Sequence, residues 1–223
     1  MLKLALPRSV HSLVRWLVPL VKVGRHTGIV PDQHTGKQID TESSIHFDTT
    51  SAAQAFFKVA KSRLLNVNQW HELAGKALAV FHLTDENGVE INRTVKQGDH
   101  FKIDIPGPGS KSGEGYDWVH VESVEETTQP TIESVGIRVR PAPNPQNNKE
   151  ETAHFYSDES TSNFIVTREG NTITASVYDR NTSTNPQADN MTDRIRHSTI
   201  GAGAISLFSK IQWKSLVEGL LKR

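Results

Sequence analysis

A series of segments in which apolar and polar residues alternate places the strongest constraint on the fold of this chain. Phe101, Ile103 and Ile105 are separated by Lys102 and Asp104. The same period of two residues recurs in segments 117–123 and 134–140, and segments 163–168 and 172–178 are predicted to pair as a hairpin. Such alternation predicts strands with one buried and one solvated face, which is typical of an antiparallel sheet.

Segments with a helical period lie on either side of these strands. After a short predicted strand at 44–47, an apolar stripe predicts a first helix, and Trp70 with Leu73 predicts a second short helix closed by Gly75. The stripe of the first helix consists of Ala53, Phe56, Phe57, Ala60 and Leu64. A long terminal helix is predicted from Ala204, Leu207, Phe208, Ile211, Leu216, Val217, Leu220 and Leu221. We expect this terminal helix to cover one face of the sheet.

Two further strand predictions rest on shorter patterns. Segments 77–83 and 89–95 flank a turn that ends in Asn87-Gly88, a strong hairpin signal. Another strand is expected around His154 and Phe155. The sequence therefore predicts one strand before the two helices and a run of about six to eight antiparallel strands after them.

The domain organisation follows from where the periodic segments begin. Residues 1–24 are predicted to form an amphipathic helix that packs on the domain or on a second copy, or that contacts a membrane or a partner. Residues 25–42 are polar and without period, which predicts a linker. Residues 43–223 are predicted to form a single α+β domain.

Composition excludes several functional classes. The chain has 25 basic and 25 acidic residues and a formal net charge of zero, which argues against nucleic-acid binding. It has no cysteine, so thiolate nucleophiles, disulfides and cysteine-ligated metals are excluded. Such a chain fits a reducing compartment, and we predict a cytoplasmic location.

The Gly-rich loop, the histidines and the serines of this chain do not match the known motifs for cofactor binding or catalysis. The loop at 106–115 is Gly-rich, but Ser110 stands where a phosphate-binding loop needs Gly before its Lys. The ten histidines form no helical metal-binding pair, and no Gly-x-Ser-x-Gly motif occurs. The sequence predicts no cofactor and no metal site, and it favours a function other than catalysis.

The order of elements over about 43–223 resembles the helix-grip fold of the START, Bet v 1 and polyketide-cyclase-like superfamily. The resemblance implies a curved antiparallel sheet, two short helices after the first strand, and a long C-terminal helix held by the sheet. It also implies a cavity between sheet and helix for a hydrophobic small molecule or lipid. The long loop at 106–115 departs from the simplest version of the fold.

One cluster of polar residues is a candidate ligand site. Trp118, His120 and Glu122 project from one face of their strand, and Arg138 with Arg140 project from what we expect to be a neighbouring strand. If that face lined the cavity, it would offer a basic pair for an anionic head group, an aromatic wall and a titratable histidine. If it faced water, the charges would form cross-strand pairs.

Three functions follow from these patterns. The first is a non-catalytic binding module for a hydrophobic small molecule or lipid. The second is a scaffold that docks a partner, another copy or a membrane surface through residues 1–24 or the sheet face. The third is a hydrolase-type or cyclase-type enzyme on the same fold that uses His120 or His154.

Overall fold

A single antiparallel sheet organises the computed structural model, which describes residues 28–75, 79–105, 110–185 and 203–223, the last with side chains from Phe208 onward. The strands are β1 (Lys37–His46), β2 (Val80–Thr84), β3 (His100–Asp104), β4 (Asp117–Thr128), β5 (Ile132–Pro141), β6 (Thr161–Glu169) and β7 (Thr172–Thr182). Their order across the seven-stranded sheet is β1-β7-β6-β5-β4-β3-β2. All neighbouring strands are antiparallel, as the alternation of apolar residues predicts.

Three helices accompany the sheet. They are α1 (Thr50–Leu65), α2 (Trp70–Ala74) and the C-terminal α3 (Gly203–Leu220), with a 3-10 turn at Val67–Gln69 between the first two. Thr49 is the N-cap of α1, since its side chain accepts a hydrogen bond from the Ala52 amide at 3.2 Å. Gly75 ends α2 with a φ of 104°, a conformation that residues with a side chain rarely adopt.

The core lies between the helices and one face of the sheet, which we call the inner face. It is the face of Val119 and Val121 on β4 and of Val135, Ile137 and Val139 on β5. The indole of Trp70 lies at its centre, with ring centroids 4.7 to 5.7 Å from those of Phe81, Phe101 and Phe164. The members of the predicted apolar stripes that are buried in this core are Phe57, Ala60, Leu64, Leu216, Val217, Leu220 and Leu221, whereas Ile211 of the terminal helix is exposed.

The opposite face of the sheet, the outer face, is also partly covered. Ile29 is buried there against Ile165 and Tyr178, and a side chain at Gly136 would clash with it. The Asn181 side chain accepts from the backbone amides of His34 and Thr35 at 2.8 and 3.1 Å. Segment 28–36 is thus tied to the domain by specific contacts.

The prediction of a linker at residues 25–42 is wrong in part, because residues 37–42 belong to β1. The strand pairs with β7 from Lys37 onward and continues through the polar residues, because an edge strand whose outer side meets water tolerates them. Of residues 25–42, 25–27 lie outside the described part of the chain, as does the predicted helix at 1–24. The division into one domain stays a prediction.

The predicted strand at 89–95 is also wrong. The turn forms as expected, with the Asp85 carboxylate accepting from the Asn87 and Val89 amides, each at 2.9 Å. After a single bridge, however, the Asn68 side chain accepts from the Leu83 amide at 2.7 Å and donates to the Ile91 carbonyl at 2.8 Å. A side chain thus replaces the neighbouring strand, and the ladder stops.

The strand predicted around His154 and Phe155 does not form, for a related reason. The backbone amide of Phe155 donates to the Asp117 carboxylate at 3.3 Å, and that of Tyr156 donates to His154 Nδ1 at 2.9 Å. Side chains again take the backbone hydrogen bonds, and only one bridge remains, from Tyr156 to Thr184.

The predicted fold class is confirmed. The protein is an α+β structure with a curved antiparallel sheet, two short helices after β1 and a long C-terminal helix against the inner face. This is the element order of the helix-grip fold.

Candidate ligand-binding cavity

A partly open cavity lies between the inner face of the sheet and α3. Its wall combines side chains from β2 to β6, the turn before β6, and one side of α3. Apolar side chains dominate, namely Ala79, Phe81, Phe101, Ile103, Ile105, Val119, Val139, Phe155, Phe164, Phe208 and Trp213, and the polar ones are His154, Tyr156, Ser162, Ser209 and Gln212.

The cavity is small. Its volume is about 40 Å³, room for roughly three water molecules at about 10–15 Å³ each. Sites for drug-sized ligands hold about 300–1,000 Å³. Trp213 fills much of the space, because its ring packs edge-on against Phe164 with centroids 5.1 Å apart. As it stands, the cavity admits a molecule of three or four heavy atoms.

Gln212 is the polar side chain of α3 that is most deeply buried in this wall. It is 2% exposed, and its Oε1 accepts from the Ala79 amide at 2.9 Å. Its Nε2 is buried and has no hydrogen-bond partner. The amide thus holds the start of β2 with one end and has an unused donor at the other.

Tyr156 and Ser209 form a second polar contact between the turn and α3. Their hydroxyl oxygens are 3.2 Å apart, and both residues are buried. Burial raises the pKa of Tyr156 well above its usual range, so the phenol stays neutral. This pair closes the cavity wall beside Gln212 without adding charge.

His154 lies in the wall with Asp117 behind it. The His154 Nε2 and an Asp117 oxygen are 3.9 Å apart. Because Nδ1 accepts from the Tyr156 amide, the neutral ring carries its proton on Nε2, facing the carboxyl. Burial lowers the pKa of His154 to about 3 and raises that of Asp117 to about 7. At neutral pH His154 is uncharged, and with so low a pKa it is a weak general base.

Asp179 adds a second buried carboxyl behind Trp213. One oxygen accepts from the indole Nε1 of Trp213 at 2.9 Å, and the other is buried without a partner. Burial raises the pKa of Asp179 to about 6, opposed by Ser162 and Trp213 beside it. This hydrogen bond fixes the indole that fills the cavity.

The five residues predicted to bind a ligand lie on the outer face, away from this cavity. Trp118 is fully buried there under the turn at 110–116, and its Nε1 donates to the Gly113 carbonyl at 3.3 Å. His120 stands beside His100, with ring centroids 5.0 Å apart. Burial is the main reason that the pKa of His100 is lowered to about 4, and the neighbouring His120 also lowers it.

The three charged members of the set have partners on the same face. Arg140 pairs with Glu122 and also donates to the Asp158 carbonyl at 2.7 Å. Arg138 donates to the backbone carbonyls of Ile29 and Gly28 at 2.5 and 2.6 Å, which holds segment 28–36 on the sheet. The sequence pattern correctly placed these side chains on one face of the sheet, but the cavity lies on the opposite, inner face. A ligand-binding role for these five residues stays a prediction.

A second depression lies on the outer face of β1, β7 and β6. It has a volume of about 440 Å³ and is lined by Glu42, Ser44, Thr167, Glu169, Thr172, Thr174 and Ser176. Its hydroxyl groups pair with each other, as Ser44 and Thr174 do at 2.9 Å. This groove is lined by polar side chains, so it lacks the apolar lining typical of small-molecule sites.

The sequence missed the polar part of the cavity wall. Phe208 stood in the predicted apolar stripe of α3, but Ser209 and Gln212 did not. Gln212 lies four residues from both Phe208 and Leu216 of that stripe, which is the helical spacing of one face, and Ser209 lies three residues before Gln212. Polar residues at this spacing within a buried stripe were the available signal.

Comparisons with known proteins give a fold likeness only. No family model and no curated protein matches the sequence. Among solved structures, a hypothetical protein from Helicobacter pylori is 15% identical, with a TM-score of 0.45, covering 82% of this chain and 87% of its own. A norcoclaurine synthase mutant from Thalictrum flavum is 10% identical, with a TM-score of 0.33, covering 83% and 98%. Ara h 8.0201 is 14% identical, with a TM-score of 0.29, covering 79% and 96%. At these values the likeness does not extend to ligand or activity.

Metal-binding clusters and membrane-spanning helices are both absent from the described part of the chain. Within them, no group of three or more potential ligand side chains is placed to hold a metal ion. None of the helices described is both long and apolar enough to cross a bilayer.

Proposed function

We propose that this chain is a non-catalytic module that binds a small, largely apolar molecule between the inner face of the sheet and α3. The observation that carries the proposal is the composition of the cavity wall, in which aliphatic and aromatic side chains surround a few neutral polar groups. That is the usual make-up of a small-molecule site.

A ligand larger than three or four heavy atoms needs the wall to move. Phe208 and Trp213 are only partly buried, so they lose fewer contacts on turning than the fully packed strand residues would. Both belong to α3, and both line the cavity. The proposal therefore includes rotation of the Phe208 ring as the way in which the cavity enlarges, while the hydrogen bond to Asp179 holds the Trp213 indole in place.

The chemistry of the wall favours binding over catalysis. His154, the one histidine among the described residues that line the cavity, is held neutral by burial, and its Nδ1 accepts a hydrogen bond from a backbone amide. Among the described lining residues, no hydroxyl is hydrogen-bonded to a histidine that would activate it as a nucleophile.

The scaffold alternative finds less support in the described part of the chain. The large apolar side chains that are exposed there are Val59, Val89 and Ile211. They lie singly on α1, after the β2 turn and on α3, and single exposed apolar residues are normal. Residues 1–24, through which docking was also predicted, lie outside the described part.

Native mass spectrometry of the protein purified from cells, followed by organic extraction, tests the proposal. We expect a bound apolar molecule of defined mass. Val139→Leu narrows the cavity and should lower the bound fraction. Val135→Leu, on the same face of the same strand but outside the wall, should leave that fraction unchanged. A clean unliganded mass would contradict the proposal, as would equal loss of the passenger in two variants that both remain folded by near-UV circular dichroism.

A further inference from the structure

The amide of Gln212 has a fixed orientation. Ala79 donates its backbone N–H to Gln212 Oε1, so the oxygen faces β2 and the nitrogen faces the other way. A flipped amide would set two donors against each other, so the hydrogen-bond network itself assigns the two atoms. The unused group is therefore an N–H₂ donor rather than an acceptor.

An unused donor at this depth is costly. Gln212 is 2% exposed and lines the cavity, and its Nε2 has no partner. Most buried polar groups in proteins are hydrogen-bonded, and each exception calls for an explanation such as a bound molecule. Because Nε2 itself is buried, a ligand restores the missing hydrogen bond once the wall moves enough to bring an acceptor atom against it.

The same wall is unsuited to an anion. Its described residues include neither lysine nor arginine, and the Nδ1 of His154 is occupied by the Tyr156 amide. Two buried carboxyls, Asp117 and Asp179, stand directly behind the wall. A carboxylate ligand would lose its hydration without gaining a cation and would face these groups.

We propose that the cavity selects a neutral molecule with a hydrogen-bond acceptor, held by Gln212 Nε2, over both an anion and a hydrocarbon of the same shape. This inference rests on the proposed function and narrows it to a ligand class. It also replaces the anionic head group that Arg138 and Arg140 suggested in the sequence, since both arginines lie on the outer face with other partners.

Three probes of nearly equal shape separate these classes: acetone, acetate and isobutene. Each has four heavy atoms around a trigonal carbon, which matches the size of the cavity. Binding is followed on the full chain by NMR, through the methyl groups of Val119 and Val139 and through the side-chain amide of Gln212. We expect acetone to shift both sets of signals and acetate to shift neither. Isobutene should shift the methyl groups alone, with a Kd about fivefold higher than that of acetone, the scale of one net hydrogen bond.

Two variants on α3 test the role of the amide. Gln212→Met removes the donor and should raise the Kd of acetone to that of isobutene, while isobutene binding shows that the cavity is intact. Ile211→Met places the same residue type at the neighbouring position, which is exposed and lies outside the cavity wall, and should leave the preference for acetone unchanged.

The outcomes separate the inference from the function on which it rests. Acetate binding as tightly as acetone, equal Kd values for acetone and isobutene, or a preference that survives in Gln212→Met would each overturn the inference while leaving an apolar cavity that binds. Failure of all three probes to shift the Val119 and Val139 methyl groups would overturn the proposed function as well.

Discussion

The cluster of Glu122, Arg138 and Arg140 on the outer face and the surroundings of the inner cavity differ in how completely their polar groups are hydrogen-bonded. On the outer face, Arg140 pairs with Glu122, and Arg138 binds two backbone carbonyls. On the inner face, Gln212 Nε2 and one oxygen of Asp179 are buried without partners. Charged residues dominate the outer face. The inner face has residues that are neutral or carboxyls whose pKa is raised by burial.

This difference separates residues that hold the fold from residues free to bind something else. The outer cluster is conspicuous in the sequence because it is rich in charge, but its charged members already have partners, either each other or backbone carbonyls. The inner wall is inconspicuous in the sequence, and it holds the uncommitted donor next to an apolar cavity. Unused capacity in a buried place is the better pointer to a ligand.

Removing a large side chain from the inner face should have the largest effect on stability. Phe164 is 1% exposed and packs against Trp70 and Trp213. We expect Phe164→Ala to lower the free energy of unfolding by about 3–5 kcal/mol, the usual cost of removing a buried Phe. Urea unfolding measures it, with Arg140→Ala on the outer face as the comparison. Equal costs for the two variants would break the contrast between the faces.

The buried acid Asp117 should give the inner side a pH dependence of opposite sign to that of the histidines. Its pKa of about 7 in the folded state lies above its ordinary value of 3.8, so the folded protein retains a proton that the unfolded chain has lost. The free energy of unfolding therefore falls as pH rises from about 4 to about 7, by at most about 1.4 kcal/mol per pH unit. His154 and His100, with folded pKa values of about 3 and 4 below the ordinary 6.5, act in the other direction below about pH 6.5.

A variant isolates the contribution of Asp117. In Asp117→Asn the carboxyl is gone and the histidines are unchanged. The stability of the variant relative to the wild type should therefore rise between pH 4 and pH 7 and level off above. Thermal or urea unfolding at a series of pH values measures this difference. If the free energies of unfolding of the variant and the wild type changed in parallel over the whole pH range, the carboxyl would not titrate as the structure implies.

The outer ion pair should contribute least. Arg140 and Glu122 have side chains that are 35% and 26% exposed, so solvent screens their attraction. A double-mutant cycle with alanine at both positions should give a coupling of about 0.2–1 kcal/mol. The pair of Arg93 with Asp99, whose acid is 6% exposed, is the internal comparison and should couple more strongly. A larger value for the Arg140 pair would mark it as more than a surface contact.

The sequence predicted the elements whose residues act locally. The helix stripe from Ala53 to Leu64, the turn at Asn87-Gly88 and the hairpin of β6 and β7 all follow from period and turn chemistry. The errors at 89–95 and around His154 have one cause. In both places a side chain, Asn68 or Asp117 respectively, takes a backbone hydrogen bond from a distant part of the chain. Period alone does not reveal such contacts.

The candidate site was less accessible to prediction than the fold. Alternation separates the two faces of a strand, but it does not say which face a helix covers when both contain large side chains. Trp118 illustrates this, since an aromatic residue on the outer face is fully buried by the turn at 110–116 rather than by the core. The cavity itself depends on where α3 lies against β2 to β6, which is a long-range property of the fold.

Xenon binding tests most directly the central claim that the inner face contains an accessible apolar cavity. Xenon enters apolar cavities without needing a polar partner, and methyl NMR under xenon pressure reports its position. We predict saturable shifts for Val119 and Val139, and none for Val121 and Val135, which lie on the same strands outside the wall. Unshifted methyl groups at Val119 and Val139, or shifts centred on Ile165 of the outer face, would contradict the account.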